Sequence, residues 1–337
     1  MKRYITLIAV SFFMLILAGC SSKSLYEPKE VAGYVSFDGN LPAPIVDVTR
    51  SGATLQNGQV ISKKRGLMNV YIPQKDRFLN ITQNDNVIYT SPLGKLSIKD
   101  KNNKVIFSHN FSKMIASASL KNNLLSIVFS DNSLMVYDIK NNKIKFAKKL
   151  DDVYALDARI VAPYFLGKLI VFPSLDGRLV IIDSNRFKVI RDIVVSSKPY
   201  FNNVIFMNVL DNRLVAATQN RVISIDPKSV SFMNVGVKDI VFLGRRVFIF
   251  TKDGRVILAN SELKRLKERK FKFANFSTAI YGQFIYVIEK NGYLIATDRD
   301  LITTNVYKLP SAIENLMFTT NDTLYYDNKY FKLNKLK

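Results

Sequence analysis

The sequence predicts an all-β protein, a β-propeller of four-stranded blades carried behind a cleaved leader. Three observations predict it. A pattern of apolar strand, tight polar turn and second apolar strand recurs along the chain, as in "KLIVFPSLDGRLVIID" (168–183) and "RVFIFTKDGRVILAN" (246–260). An Asp or Asn stands at one constant offset after each turn. The 337 residues are 48% apolar with a single cysteine, so a large core must form without disulfides.

The leader comes first. Met1-Lys2-Arg3 is a short positive start, "YITLIAVSFFMLIL" (4–17) is nearly all apolar, and Ala18 and Gly19 are small. That order is a secretory signal. The apolar run is shorter than the roughly 20 residues of a membrane span. Leu17-Ala18-Gly19-Cys20 resembles the lipobox of bacterial lipoproteins. The resemblance implies cleavage after residue 19 and acylation of Cys20, which also removes a free thiol from an oxidising compartment. Loss of residues 1–19 takes away Lys2 and Arg3 and no acid, lowering the net charge from +22 to +20. Ser21 follows the cysteine, where many inner-membrane lipoproteins carry Asp. The expected location is therefore the periplasmic face of the outer membrane, with the lipid as anchor. Residues 20–50, with Pro28, Pro42 and Pro44 and no period, read as a lipidated tether ahead of a propeller over 51–337.

Seven repeats are countable, and eight are possible. Aligned on the first apolar residue after the turn, they fall at Leu96, Leu134, Leu179, Val222, Val256, Leu294 and Tyr330, spaced by 38, 45, 43, 34, 38 and 36. Four residues later stand Asp100, Asp138, Asp183, Asp226, Asn260, Asp298 and Asn334. A short polar side chain there bonds its own backbone two residues on and opens the next turn. Asp176-Gly177, Asp253-Gly254 and Asn291-Gly292 are hairpin turns, since glycine accepts positive φ. Further strand-like runs before and after each pair bring the unit to four strands in about 40 residues, a propeller blade. The last copy stops after its third strand. A strand from residues 52–72 is expected to complete it and close the ring, removing an open sheet edge.

"SLDGRLVIID" and "TKDGRVILAN" resemble the repeats of PQQ-like (quinoprotein-like) β-propellers. Behind a lipobox, the combination resembles the propeller lipoproteins of the outer-membrane β-barrel assembly machinery, from about residue 50 onward. That resemblance implies a scaffold with protein partners. Two features depart from it. Those propellers have eight blades, and their repeats commonly carry Thr-Gly and a Trp after the Asp. Here "DIKNNKIKF" and "DSNRFKVI" have neither, and the chain has no Trp.

The residues also weigh against catalysis. A quinone-dependent oxidoreductase is the least favoured function, because the related enzymes stack the quinone on Trp and often cap it with paired cysteines. No cofactor, metal or small-molecule substrate is expected. His109 is the single histidine and reads as a surface or packing residue. "GYVSFDG" and "SPLGKLS" lack the spacing of phosphate loops and nucleophile elbows. The basic residues are dispersed and the compartment is exported, so nucleic acid is not an expected partner. The densest basic stretch, "ELKRLKERKFKF" (262–273), holds Lys264, Arg265, Lys267, Arg269, Lys270 and Lys272. It reads as a solvated outer strand or as a contact for an acidic partner or lipid surface. The expected function is protein–protein interaction in outer-membrane β-barrel assembly. The alternative is a binding lipoprotein of another envelope pathway, gripping acidic glycan or a protein complex.

Overall fold

The computed structural model describes residues 24–153, 156–281 and 284–333. Cys20 lies outside them. Strands account for all the regular structure among the described residues, apart from a single 3-10 position at Leu333. They form eight sheets in sequence order, each antiparallel and four-stranded in its core. Blades 1 to 7 span residues 45–71, 77–110, 115–149, 164–194, 206–234, 237–270 and 276–308. Blade 8 takes three strands from 317–332 and its outer strand, Gly39–Asn40, from near the other end of the chain.

Two expectations need correction. The ring is closed by an N-terminal strand, but not by one from 52–72. Those residues are the second to fourth strands of a complete blade 1, which begins at Ile45–Val48. Blade 1 escapes the repeat pattern because Lys64 stands where the other copies have Asp or Asn. Its turn is held instead by Ser62, whose Oγ accepts the Arg65 N–H at 3.1 Å. The stretch 20–50 is likewise no simple tether. Gly33–Tyr34 adds a parallel fifth strand to blade 7, Gly39–Asn40 closes blade 8, and Ile45–Val48 starts blade 1.

The turn chemistry holds in every copy whose Asp or Asn is described. The Oδ1 atoms of Asp100, Asp138, Asp183, Asp226, Asn260 and Asp298 accept the backbone N–H two residues on, at 2.7–3.1 Å. Asn334 lies outside the described residues. Gly177, Gly254 and Gly292 have φ of 89°, 78° and 92°. A Cβ on Gly177 would stand 2.3 Å from Asn202 Nδ2 and 2.6 Å from the Ser196 carbonyl, so this turn excludes a side chain.

These turns carry a pH dependence. Backbone N–H donors from Arg186 and Lys228 hold the carboxyls of Asp183 and Asp226 below the usual carboxylate range, and the Asn141 amide does the same for Asp138. A carboxyl with a depressed folded pKa stabilises the fold above its unfolded pKa of about 3.9, and that contribution is lost as pH falls through the folded value. The melting temperature is therefore expected to hold through neutral pH and to drop below about pH 4. Asp183→Asn, which keeps the acceptor and removes the charge, should melt below wild type at pH 7, with the gap closing towards pH 3. Parallel melting curves of the two proteins against pH check this.

The core is divided among the seams between blades. Eight apolar clusters form, one at each junction. Central strands are buried on both faces, as in Val87–Thr90, while outer strands such as Val189–Val194 are largely exposed. Blades cover one another, so no single sheet needs a partner layer.

Candidate interaction surfaces

The blade connections and the turns between second and third strands share one face of the ring, here called the upper face. The link between blades 3 and 4, residues 150–163, is longer than the others. Asp157 and Ile160 line an upper concavity of ≈ 940 Å³, and Val161 to Phe165 line a lower one of ≈ 450 Å³. The link therefore runs down the axis of the ring.

It is pinned there by polar bonds to several blades. Asn203, before blade 5, accepts the Asp157 N–H at 2.7 Å and donates to the Asp157 carbonyl at 3.1 Å. Arg159 pairs with the Asp157 carboxylate through Nε at 2.8 Å and through Nη2, and donates through Nη1 to the Lys238 carbonyl of blade 6. The Gln219 amide donates to Asp157 and accepts from Lys252. Ser117 of blade 3 donates to the Val161 carbonyl at 3.0 Å. Burial pushes the Asp157 carboxyl up, but the hydrogen bonds and charge of Arg159, together with the Gln219 amide, make the net shift downward. Burial, with Lys290 and Arg159 nearby, pushes the Lys238 ammonium down.

The lower mouth is cationic. Arg50, after the first strand of blade 1, reaches across the ring to Asp239 of blade 6 at 2.8 Å and lies over Phe206 of blade 5, 5.6 Å from the ring centre. Lys63 donates to the Thr319 carbonyl of blade 8 at 2.6 Å. Burial, then Arg50, pushes its ammonium down to about 8. Lys64 and Lys121 complete the rim. The upper face instead exposes apolar side chains, among them Leu93, Met114, Tyr200, Phe201 and Leu316. Leu93 is 82% exposed at the tip of a blade 2 turn.

Sequence reasoning missed the axial network. Its one trace was the 45-residue spacing between Leu134 and Leu179, the longest of the series, which contains the whole link. The basic stretch falls where it was expected, with Arg265–Lys270 as the outer strand of blade 6. Its members are not gathered into a site. Arg265 pairs with Glu268 at 2.8 Å, Lys270 with Asp253 at 3.5 Å, and Arg269 donates to the Ile302 carbonyl at 2.7 Å. Lys264, Lys267 and Lys272 extend into solvent. His109 sits between Phe111 and Tyr137, with ring centres 4.6 and 4.8 Å away, as a packing residue. Among the described residues no cluster of three or more His, Cys, Asp or Glu could hold a metal ion, and no helix is long and apolar enough to cross a membrane.

No family model matches the chain. It is similar to the plasminogen-binding protein PgbB of Helicobacter pylori, at 28% identity in strain J99 and 27% in strain 26695, over 96% of this chain and 70% of that protein in each case. Among solved structures it resembles BamB from Moraxella catarrhalis, with a TM-score of 0.65, 17% identity and 89% of this chain and 99% of that chain covered. The C-terminal WD40 domain of Sif2 gives a TM-score of 0.68 at 11% identity, over 90% of this chain and 99% of that one. The chain is thus a BamB-like β-propeller in fold. With eight blades rather than seven, the first departure from that likeness disappears.

Proposed function

We propose that this chain is a lipid-anchored propeller of the bacterial envelope that works by binding proteins through its upper face, and not by catalysis. Its partner on this reading belongs to the outer-membrane β-barrel assembly machinery, and its place is the periplasmic face of the outer membrane. The observation that carries the reading is the upper face itself. Apolar side chains are exposed on the face where a large concavity opens, Met114 among its lining, and the axial link that forms part of its wall is tied to the blades by polar bonds. A preorganised apolar surface with a polar floor suits a protein partner. The lipobox-like Leu17 to Cys20 supports the compartment in this reading, and the likeness in fold to BamB supports the pathway. The likeness to PgbB favours a second reading, in which the partner is plasminogen.

One purification separates the two. Tagged lipidated chain recovered from detergent-solubilised envelopes should bring down a β-barrel assembly protein, identified by mass spectrometry. Immobilised chain that captures plasminogen while no envelope protein co-purifies would replace the first reading with the second. The anchor has its own test. Cys20→Ser should leave the chain uncleaved or released from membranes, because acylation supplies the attachment. Normal maturation and membrane retention of that variant would remove the lipoprotein reading.

A further inference from the structure

The described chain begins close to the basic strand. Tyr26 is buried in the seam between blades 6 and 7, edge-on to Tyr293 at 5.6 Å and to Phe271 at 6.4 Å. Phe271 directly follows the outer strand Arg265–Lys270. Five residues lie between Cys20 and Tyr26, and these six Cα steps fully extended reach about 20 Å. An acyl group on Cys20 would hold this one rim of the ring next to the bilayer, whatever the rest of the molecule does.

The same rim has the chemistry of a bilayer interface. Lys264, Lys267 and Lys272 project from it, and Lys272 also lies over Phe273 at 5.0 Å. Between the cations stand exposed apolar side chains. Leu266 and Phe273 belong to the basic stretch, Ile302 is bonded to Arg269 through its carbonyl, and Leu25, Val31 and Tyr34 belong to the segment along blade 7. The acids there are partly neutralised, since Glu268 pairs with Arg255 and Arg265, Asp253 with Lys270, and Asp300, beside Ile302, with Arg246. Glu27, Glu30 and Glu262 are the exposed remainder. Apolar side chains enter the headgroup region while Lys and Arg meet anionic headgroups at its surface.

We infer that the rim of blades 6 and 7, led by the strand Arg265–Lys270, lies against an anionic phospholipid surface. This rests on the lipid-anchored reading and adds an orientation to it: the ring stands on its edge, with the upper face open to a partner.

The test uses the full lipidated chain in vesicles of phosphatidylcholine, with or without phosphatidylglycerol. An environment-sensitive dye is placed at Leu266→Cys or, across the ring on the outer strand of blade 2, at Ile106→Cys. Lipid-borne quenchers should reach the dye at 266 in the anionic vesicles and leave the dye at 106 bright. Equal quenching at the two positions overturns the inference. The second arm removes the anchor. Residues 20–337 carrying Cys20→Ser, with neither leader nor acyl group, should pellet with anionic vesicles and not with neutral ones. Lys264→Glu, Lys267→Glu and Lys272→Glu together should weaken that about a hundredfold, since each cation near such a surface contributes roughly a factor of five. Melting should be unchanged, because exposed charges add little to folding. Equal pelleting with and without the three substitutions also overturns it. Intact mass reports acylation of Cys20 separately, so an unmodified cysteine ends the anchored reading while the pelleting still decides the rim.

Discussion

Deleting residues 24–44 is expected to lower the melting temperature by about 10 °C or more. The segment supplies the closing strand Gly39–Asn40 and the fifth strand of blade 7. It also buries Tyr26, Val35 and Leu41 in the seams of blades 6/7, 7/8 and 8/1. Each such side chain contributes about 2 kcal/mol, so roughly 6 kcal/mol is lost before the open edge of blade 8 is counted. For a domain of this size 1 kcal/mol corresponds to about 2 °C. Tyr34→Ala, at an 83% exposed position in the same segment, should change little. Scanning calorimetry of the three proteins decides it. A deletion that melts with wild type would show that closure is not what the N-terminal segment does.

Asp157→Ala is expected to cost about 2–3 kcal/mol, although the residue sits in a loop outside every blade. The substitution leaves the Arg159 guanidinium and the Gln219 amide without the carboxylate to which both donate. Removing one partner of a fully buried ion pair costs about 3–5 kcal/mol, and the figure here is lower because Arg159 keeps 28% of its side chain in solvent. The double substitution Asp157→Leu with Arg159→Met should recover most of the loss, since apolar replacement of both partners leaves no orphaned charge. Urea unfolding of the single and double variants checks both statements. An Asp157→Ala protein as stable as wild type would mean that the axial network is decoration on a ring that needs no pin.

What could be read in advance followed a physical divide. Local chemistry was legible. The Asx residue that opens each turn and the Asp-Gly and Asn-Gly dipeptides act within four residues, so each copy announces itself. Blade 1 did not, because Ser62 does the same work from a different position and Lys64 breaks the frame. Gly39–Asn40 was invisible for another reason. Two residues without an apolar side chain have no periodicity, and their strand identity comes from pairing with Tyr330 and Lys329 nearly 300 positions away. The axial site is long-range throughout. Asp157 meets Asn203 and Gln219, and Arg159 meets Lys238, across separations of 46, 62 and 79 residues. Nothing in the local sequence of "DDVYALDARIVAP" specifies those partners; only the excess length in the repeat spacing marked the place. The basic stretch was legible as an outer strand. Its position beside Tyr26, which gives it a direction relative to the anchor, was not.

The measurement that bears most directly on protein binding through the upper face is site-specific photo-crosslinking in living cells. A photoreactive residue at Leu93 or at Met114 should each trap one protein of the same discrete mass, while the same residue at Phe232, exposed on the outer strand of blade 5, should trap none. If the upper-face positions yield no adduct, or all three positions yield the same mixture, the upper face is not where this propeller binds.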